Sequence, residues 1–399
     1  MRSPARPPVA APARPSAPPS ARATRSGPGT AQDRDDPSPP PSFAPPPDEI
    51  LRARGASGRP HPRHEPYARE REDDGWPGEH EPALLRTEVT HEHARSIITR
   101  NSSPDVGFDR SVNPYRGCEH GCIYCYARPS HAWLGLSPGL DFETRLVARP
   151  NAPDLLAAEI GRKGYRVAPI AFGTNTDPYQ PVEARLGIMR ACLRVLAAWN
   201  HPVTLVTRGA TVMRDVDLLG EMAGRGLVQV GVSVTTLDAG LARSLEPRAP
   251  TPATRLRMIA ALAGAGVPVR VMVAPVIPVL TEPELERILE AARDAGARMA
   301  SMIPLRLPQE VAPLFRDWLA RHQPGRAAHV MARVQAMRGG RDNDPRFGSR
   351  MRGEGIEAEL LHQRFRVARR RLGLDAPAPA LDCSRFGPPP APGQQLSLF

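Results

Sequence analysis

"RGCEHGCIYCYARPSH", residues 116–131, holds three of the chain's five cysteines, Cys118, Cys122 and Cys125, at a C-x3-C-x2-C spacing. Five cysteines in 399 residues are an odd count, unlike the paired framework of a small secreted domain. The loop therefore reads as a ligand set. Structural zinc asks for four protein ligands, and no second pair at C-x2-C or H-x3-H spacing stands downstream. Catalytic zinc takes three ligands but seldom three cysteines. A [4Fe–4S] cluster offers four sites, so three cysteines leave one iron open to a non-protein ligand. On that reading the vacancy is the functional part.

Outward from this loop, short apolar runs alternate with helix-period segments. The runs are "RSVNPYRG" (110–117), "VAPIAFG" (167–173), "PVTLVTRG" (202–209), "VQVGVSVTT" (228–236), "PVRVMVAPVIP" (268–278) and "ARMASMIPLRLP" (297–308). Within 181–199, Val182, Leu186, Met189, Leu193 and Leu196 recur on one helical face. Thr251 before Pro252 opens a helix, and Thr281 with Glu284 forms a capping-box pattern closed by Gly296. This alternation predicts a parallel sheet with right-handed crossovers that curls toward a barrel, with an open doubly wound sheet as the competing architecture. Parallel α/β folds gather their chemistry at the strands' C-terminal ends. Here those ends carry the cysteine loop, "GTNTDPYQPVE" (173–183), "TRG" (207–209), "SVTT" (233–236), "PVIP" (275–278) and "LRLP" (305–308), all on one rim.

The C-x3-C-x2-C loop, with Tyr124 just before its last cysteine, resembles the signature of the radical S-adenosylmethionine (SAM) superfamily. "SPDVGFDRSVNPYRGCEHGCIYCYARPSH", "GTNTDPYQPVE", "LEPRAPTPATRL" and "VAPVIP" extend the likeness, over about residues 85–375, to uncharacterised members near spore photoproduct lyase. The resemblance implies a partial (β/α)6 TIM-like barrel with a [4Fe–4S] cluster on Cys118, Cys122 and Cys125. The open iron would bind the amino and carboxylate groups of SAM, and electron transfer would yield a 5′-deoxyadenosyl radical that abstracts hydrogen from substrate. It further implies that Gly173, Thr174, Asn175, Thr176 and Asp177 meet the methionine moiety. Ser233 and Thr235, with Ala274, Pro275, Val276 and Ile277, would lie along the sulfonium, ribose and adenine, and Tyr124 would pack near the cluster. An electron donor such as a flavodoxin or ferredoxin is implied as well. The chain departs from the lyase in having Gly173 and Thr174 where that enzyme carries a hydrogen-returning cysteine. Cys192 reads as core, and Tyr126 is the alternative hydrogen relay or a packing residue. Val279 stands where relatives are expected to have glycine.

His120 reads as a loop hydrogen-bonder, and His91 and His93 as exposed. Arg208, Arg248 and Arg306 fall near the rim, either clamping a carboxylate or phosphate or pairing with acidic neighbours. Fifteen of the first 50 residues are proline, so residues 1–82 are expected to be a disordered Pro/Arg-rich tail. A core barrel (83–310), a helical extension (311–374) with stretches at 311–336 and 356–373, and a flexible tail (375–399) follow. Gln395 to Phe399 resembles the pentapeptide with which bacterial repair and replication proteins engage the DNA sliding clamp. No run of 18 apolar residues occurs, no signal-peptide core opens the chain, and prolines spoil any transit-peptide helix, so a cytoplasmic location is expected. The net charge of +11, from 53 basic and 42 acidic residues, suits nucleic acid. Damaged or modified DNA is the favoured substrate. A peptide or small metabolite is the alternative, and a non-enzymatic metal-binding module on DNA stands behind both.

Overall fold

A computed structural model describes residues 53–66 and 85–389. Its main sheet has seven strands: β1 (Ile98–Arg100), β2 (Arg110–Val112), β3 (Ile170–Phe172), β4 (Val203–Thr207), β5 (Val228–Ser233), β6 (Val269–Val276) and β7 (Met299–Pro304). Strands β2 to β7 run parallel in sequence order, and β1 lies antiparallel on the outer edge of β2. Because the order never reverses, the sheet has no switch point. It is the partial barrel, not the doubly wound alternative. A second, three-stranded sheet joins Glu88–His91, Arg145–Ala148 and Tyr115–Arg116 beside the cysteine loop.

The period of two along each strand separates core from site. On β6, Val269, Val271 and Val273 are fully buried in the hydrophobic core. The intervening Met272 and Ala274 face a cavity inside the curl. All six apolar runs form strands. Helices fill the crossovers, among them Ala152–Ile160, Ile188–Ala198, Val216–Gly224, Pro252–Gly264 and Leu285–Asp294.

Two local expectations change. The helix over 181–199 is two pieces, Glu183–Leu186 and Ile188–Ala198, broken at Gly187, which has a left-handed φ of 66°. The buried Glu183 carboxylate accepts from the Met189 amide, 3.0 Å away, and so caps the second piece. Thr251 does cap its helix through the Thr254 amide. Thr281 and Glu284 form no capping box. Thr281 Oγ1 accepts from the Ile277 amide at 2.8 Å, and Glu284 reaches across to Thr236 and the Leu237 amide. Val279, with φ of 68°, occupies a backbone conformation that suits glycine, which accounts for the residue expected there. Helices Val311–His322, Ala327–Ala336 and Gly355–Arg371 pack beyond β7.

Residues 53–66, expected in the disordered tail, are docked instead. Ala56 is buried, and the Gly55 and Ala56 amides each donate to the Glu143 carboxylate at 2.9 Å. No helix among the described residues is long and apolar enough to cross a membrane. The Gln395–Phe399 peptide lies outside the described residues.

Candidate functional site

The cysteine loop is tied down from behind by one buried arginine. Arg128 donates to the carbonyls of Gly121, Cys122, Pro138 and Gly139 and pairs with Glu143 at 2.5 Å. Glu143 in turn holds the Gly55 and Ala56 amides. Gly121, with φ of 68°, places its carbonyl where a side chain on Gly55 would sit only 1.8 Å from it. Two more contacts fix the front of the loop. The Glu119 amide donates to Gln180 Oε1 at 2.9 Å, and His120 Nδ1 stands 3.4 Å from Asp177 Oδ2. His120 thus faces Asp177 across the loop, but its Nδ1 makes no hydrogen bond, so the loop bond expected of it is not formed there.

A second buried network stands behind Tyr124. Glu246 receives the Tyr124 hydroxyl, the Arg255 guanidinium, Thr235 Oγ1 at 3.0 Å and Arg208 Nη1 at 2.6 Å. Burial opposes ionisation of Glu246, but Arg255 and Arg208 outweigh it and hold the carboxyl down at about 2. The same Arg208 nitrogen lies 3.2 Å from Cys122 Sγ.

Cys118 and Cys122 are buried and Cys125 is partly so. Burial pushes the Cys118 thiol well up, reinforced by Asp177 and the neighbouring cysteines. Cys122 is pushed up to about 12 by burial, against the opposing charge of Arg208. Such thiols do not ionise alone. Bound cations supply the missing positive charge, and a coordinating thiol is then deprotonated outright. Among the described residues no group of three His, Cys, Asp or Glu side chains is arranged to hold one metal ion. That arrangement is not what a cluster requires, because each cysteine takes a different iron. The donor set therefore fits an iron–sulfur cluster with one open site.

The loop opens onto a cavity of about 840 Å³. Of the residues singled out from sequence, Tyr124, Cys125, Tyr126, Gly173, Thr174, Asn175, Arg208, Ser233, Ala274, Pro275 and Arg306 line it. The others stand behind its wall. Thr176 is buried and donates to the Tyr115 carbonyl at 2.9 Å. Asp177 accepts from Thr207 Oγ1 at 2.6 Å and the Arg208 amide at 2.8 Å, and these with His120 hold its carboxyl down at about 2 against burial. Thr235 belongs to the Glu246 network, and Val276 and Ile277 are core. Tyr126 is partly exposed in the cavity, with its hydroxyl on the Thr174 carbonyl and Arg306 Cζ 4.6 Å over its ring. Arg248 pairs with Glu119 at 3.0 Å. Cys192 is fully buried in the core, and His91 and His93 are exposed.

The radical SAM superfamily model matches residues 112–292. Over that stretch, a little under half of its length, the chain is similar to the radical SAM superfamily. The family implies the cluster and SAM as cofactors. An uncharacterised protein of Mycobacterium tuberculosis is 41% identical over 219 residues, which are 54% of this chain and 64% of that protein, just under two thirds of its length. Among solved structures, a tyrosine-to-phenylalanine variant of spore photoproduct lyase superposes with a TM-score of 0.51 at 15% identity, covering 73% of this chain and 81% of that one. The lyase complexed with dinucleoside spore photoproduct gives 0.50 at 16% identity, over 75% and 85%. At these identities the likeness is one of fold.

Residues that sequence reasoning passed over are Arg128, Glu143, Glu246 and Arg255. Glu246 and Arg255 sit inside the quoted "LEPRAPTPATRL", so a signal was present without a role attached. Arg128 follows the last cysteine by three positions, and only its burial distinguishes it from a solvated arginine.

Proposed function

We propose that this protein is a radical SAM enzyme acting on nucleic acid, in DNA repair or base modification. The observation that carries the reading is the cavity. Cys125 of the three-cysteine loop lines it together with Arg100, Arg116, Arg149, Arg208, Arg306 and Arg350, and among the described residues no Asp or Glu does. When bound, the cluster would supply the electron that splits the C5′–S bond of SAM into methionine and a 5′-deoxyadenosyl radical. The chain's own residues do the rest. Cys118, Cys122 and Cys125 would hold three irons, and Asn113, Thr174, Asn175 and Ser233 offer polar groups toward the cofactor. Tyr126 lines the same cavity with its hydroxyl on the Thr174 carbonyl and would pass a hydrogen atom in the absence of a cysteine at 173 or 174. The complex of spore photoproduct lyase with a dinucleoside photoproduct supports this substrate class by analogy of fold.

The test is anaerobic reconstitution, reduction with dithionite and addition of SAM, with and without single-stranded and irradiated DNA. Formation of 5′-deoxyadenosine, faster with DNA, is expected. No 5′-deoxyadenosine under any condition overturns the enzymatic reading. Formation that no DNA stimulates, together with no nucleic acid recovered on the protein from cells, favours a peptide or small metabolite.

A further inference from the structure

Of the six arginines on the cavity wall, Arg306 alone has neither a hydrogen bond nor a carboxylate within ion-pair distance among the described residues. Arg306, just past the end of β7, is half-buried and lines the cavity, yet among the described residues it has no hydrogen-bond acceptor and no carboxylate partner. Its neighbours are all engaged. Arg208 pairs with Glu246, and Arg350 with Asp105 at 2.5 Å and Ser103 Oγ at 2.6 Å. Arg338, fully buried, gives its guanidinium to the carbonyls of Pro304, Leu305, Ser349 and Arg350. Among the described residues, Arg306 is the cavity-lining arginine left without any acidic partner, so its fork is open to something that enters.

Its setting is built for an anion. Tyr126 carries the Arg306 Cζ 4.6 Å above its ring, and a guanidinium held over an aromatic face keeps a planar set of N–H donors for bidentate binding. Burial, with Arg350 adding to it and Tyr126, Cys125 and Asp105 opposing it, on balance disfavours the charge on Arg306, so an arriving anion relieves a cost already present in the fold. A carboxylate metabolite would need one such group. The wall instead gathers six arginines, five of them already ion-paired, and among the described residues no acidic residue lines it, which matches charges repeated along a strand. Trp133, 73% exposed, lines the same cavity and stacks on His64 with ring centroids 3.9 Å apart. Aromatic faces interleaved with cations are how single strands are gripped.

We infer that Arg306 is the phosphodiester subsite of a single-stranded nucleic acid bound in the outer cavity, seating one backbone phosphate beside Tyr126. The inference rests on the nucleic-acid reading above and sharpens it to one contact.

The probe is fluorescein-labelled single-stranded octathymidylate, titrated at several salt concentrations into full-length, anaerobically reconstituted protein. Arg306→Gln is expected to weaken binding roughly tenfold, the worth of one charge-assisted contact. It should also flatten the slope of log K against log salt by about 0.7, one phosphate on a single strand. Arg306→Lys, which keeps the charge, should retain the slope, and Arg298→Gln, exposed at the opposite end of β7, should change neither quantity. Iron content and circular dichroism check that each variant is folded. Should the Gln variant be misfolded, the Lys variant decides alone: a flattened slope overturns the assignment. Unchanged affinity and slope in a folded Arg306→Gln protein overturn it while leaving the nucleic-acid reading intact. Weakened SAM binding with normal octathymidylate binding overturns it in favour of a cofactor contact. Native protein that binds no octathymidylate at all removes both readings.

Discussion

Arg208 Nη1 lies 3.2 Å from the sulfur of Cys122 while the same nitrogen holds Glu246 at 2.6 Å. The loop's second cysteine is thereby coupled to a buried ion-pair network. A donor and a positive charge on a cluster sulfur favour the reduced, more negative state, so with a cluster held on Cys122 this contact would raise its reduction potential. Arg208→Gln is expected to retain iron and to lower the midpoint by about 60 mV, a tenfold change for a one-electron couple. Arg208→Lys should fall between the two. Redox titration followed by electron paramagnetic resonance is the measurement, and equal midpoints in all three proteins would show that the contact does not tune the cluster.

Cys118→Ala, Cys122→Ala and Cys125→Ala should each abolish retention of four irons per chain on anaerobic reconstitution. Cys192→Ala should keep the full iron content, because its thiol is fully buried in the core away from the loop. It should instead cost on the order of 1 kcal/mol in stability. Stoichiometric zinc without iron uptake would refute the cluster assignment.

Asn175 and Thr176 are adjacent in sequence and should separate cleanly in experiment. Asn175 lines the cavity, whereas Thr176 is buried and bonded to the Tyr115 carbonyl. Asn175→Ala should weaken SAM binding roughly tenfold without changing iron content. Thr176→Val should leave the affinity of the folded protein unchanged and lower its unfolding free energy by about 1–3 kcal/mol, since it orphans a buried carbonyl. Calorimetric titration and denaturant melts check both, and the reverse pattern would mean that the strand-end loop is misassigned.

What was legible in the sequence is the part set by short-range pattern. The six parallel strands show as apolar runs because strand burial repeats every second residue, and the rim follows from strand direction. The cavity-lining half of the candidate residues followed from that rim. Thr176, Asp177, Val276 and Ile277 did not, because a strand end alternates between wall and core, and motif likeness alone does not tell which residue faces inward. The buried ion pairs were illegible for a different reason. Tyr124 and Glu246 are 122 positions apart, and a lone Glu or Arg reads as solvated until its partner is known. The docked segment was hidden by its composition. Its anchors are backbone amides, which any sequence supplies, and arginines such as Arg54, Arg59 and Arg63, which read as solvated until their partners are known.

The peptide Gln395–Phe399 predicts a partner from sequence alone. A peptide of residues 388–399 should bind a bacterial sliding clamp with micromolar affinity, since burying Leu398 and Phe399 contributes roughly 1.5–3 kcal/mol each before ordering costs. Titration against a Leu398→Ala, Phe399→Ala double variant decides it. Equal binding by the two peptides would end the idea.

The docked segment gives the last prediction. Gly55 packs so closely on the Gly121 carbonyl that an added methyl group would lie 1.8 Å from it. The obstacle is backbone on both sides, so Gly55→Ala cannot be absorbed by a side-chain rotation. The Gly55 and Ala56 amides must then leave Glu143, and the buried Arg128–Glu143 pair loses the cover of Ala56. Release exposes the back of the cysteine loop, because Arg128 is what holds the Gly121 and Cys122 carbonyls. Gly55→Ala should therefore make residues 53–66 sensitive to proteolysis and speed bleaching of the cluster's visible absorbance in air several-fold. Initial iron content should be unchanged, since all three cysteines remain. Arg293→Ala, which removes only an exposed pair with Asp294 on the helix Leu285–Asp294, is the control and should alter neither rate, a surface pair being worth about 0–1 kcal/mol. Bleaching at the native rate in a Gly55→Ala protein whose segment is demonstrably cleaved would show that the segment covers the loop without protecting the cluster.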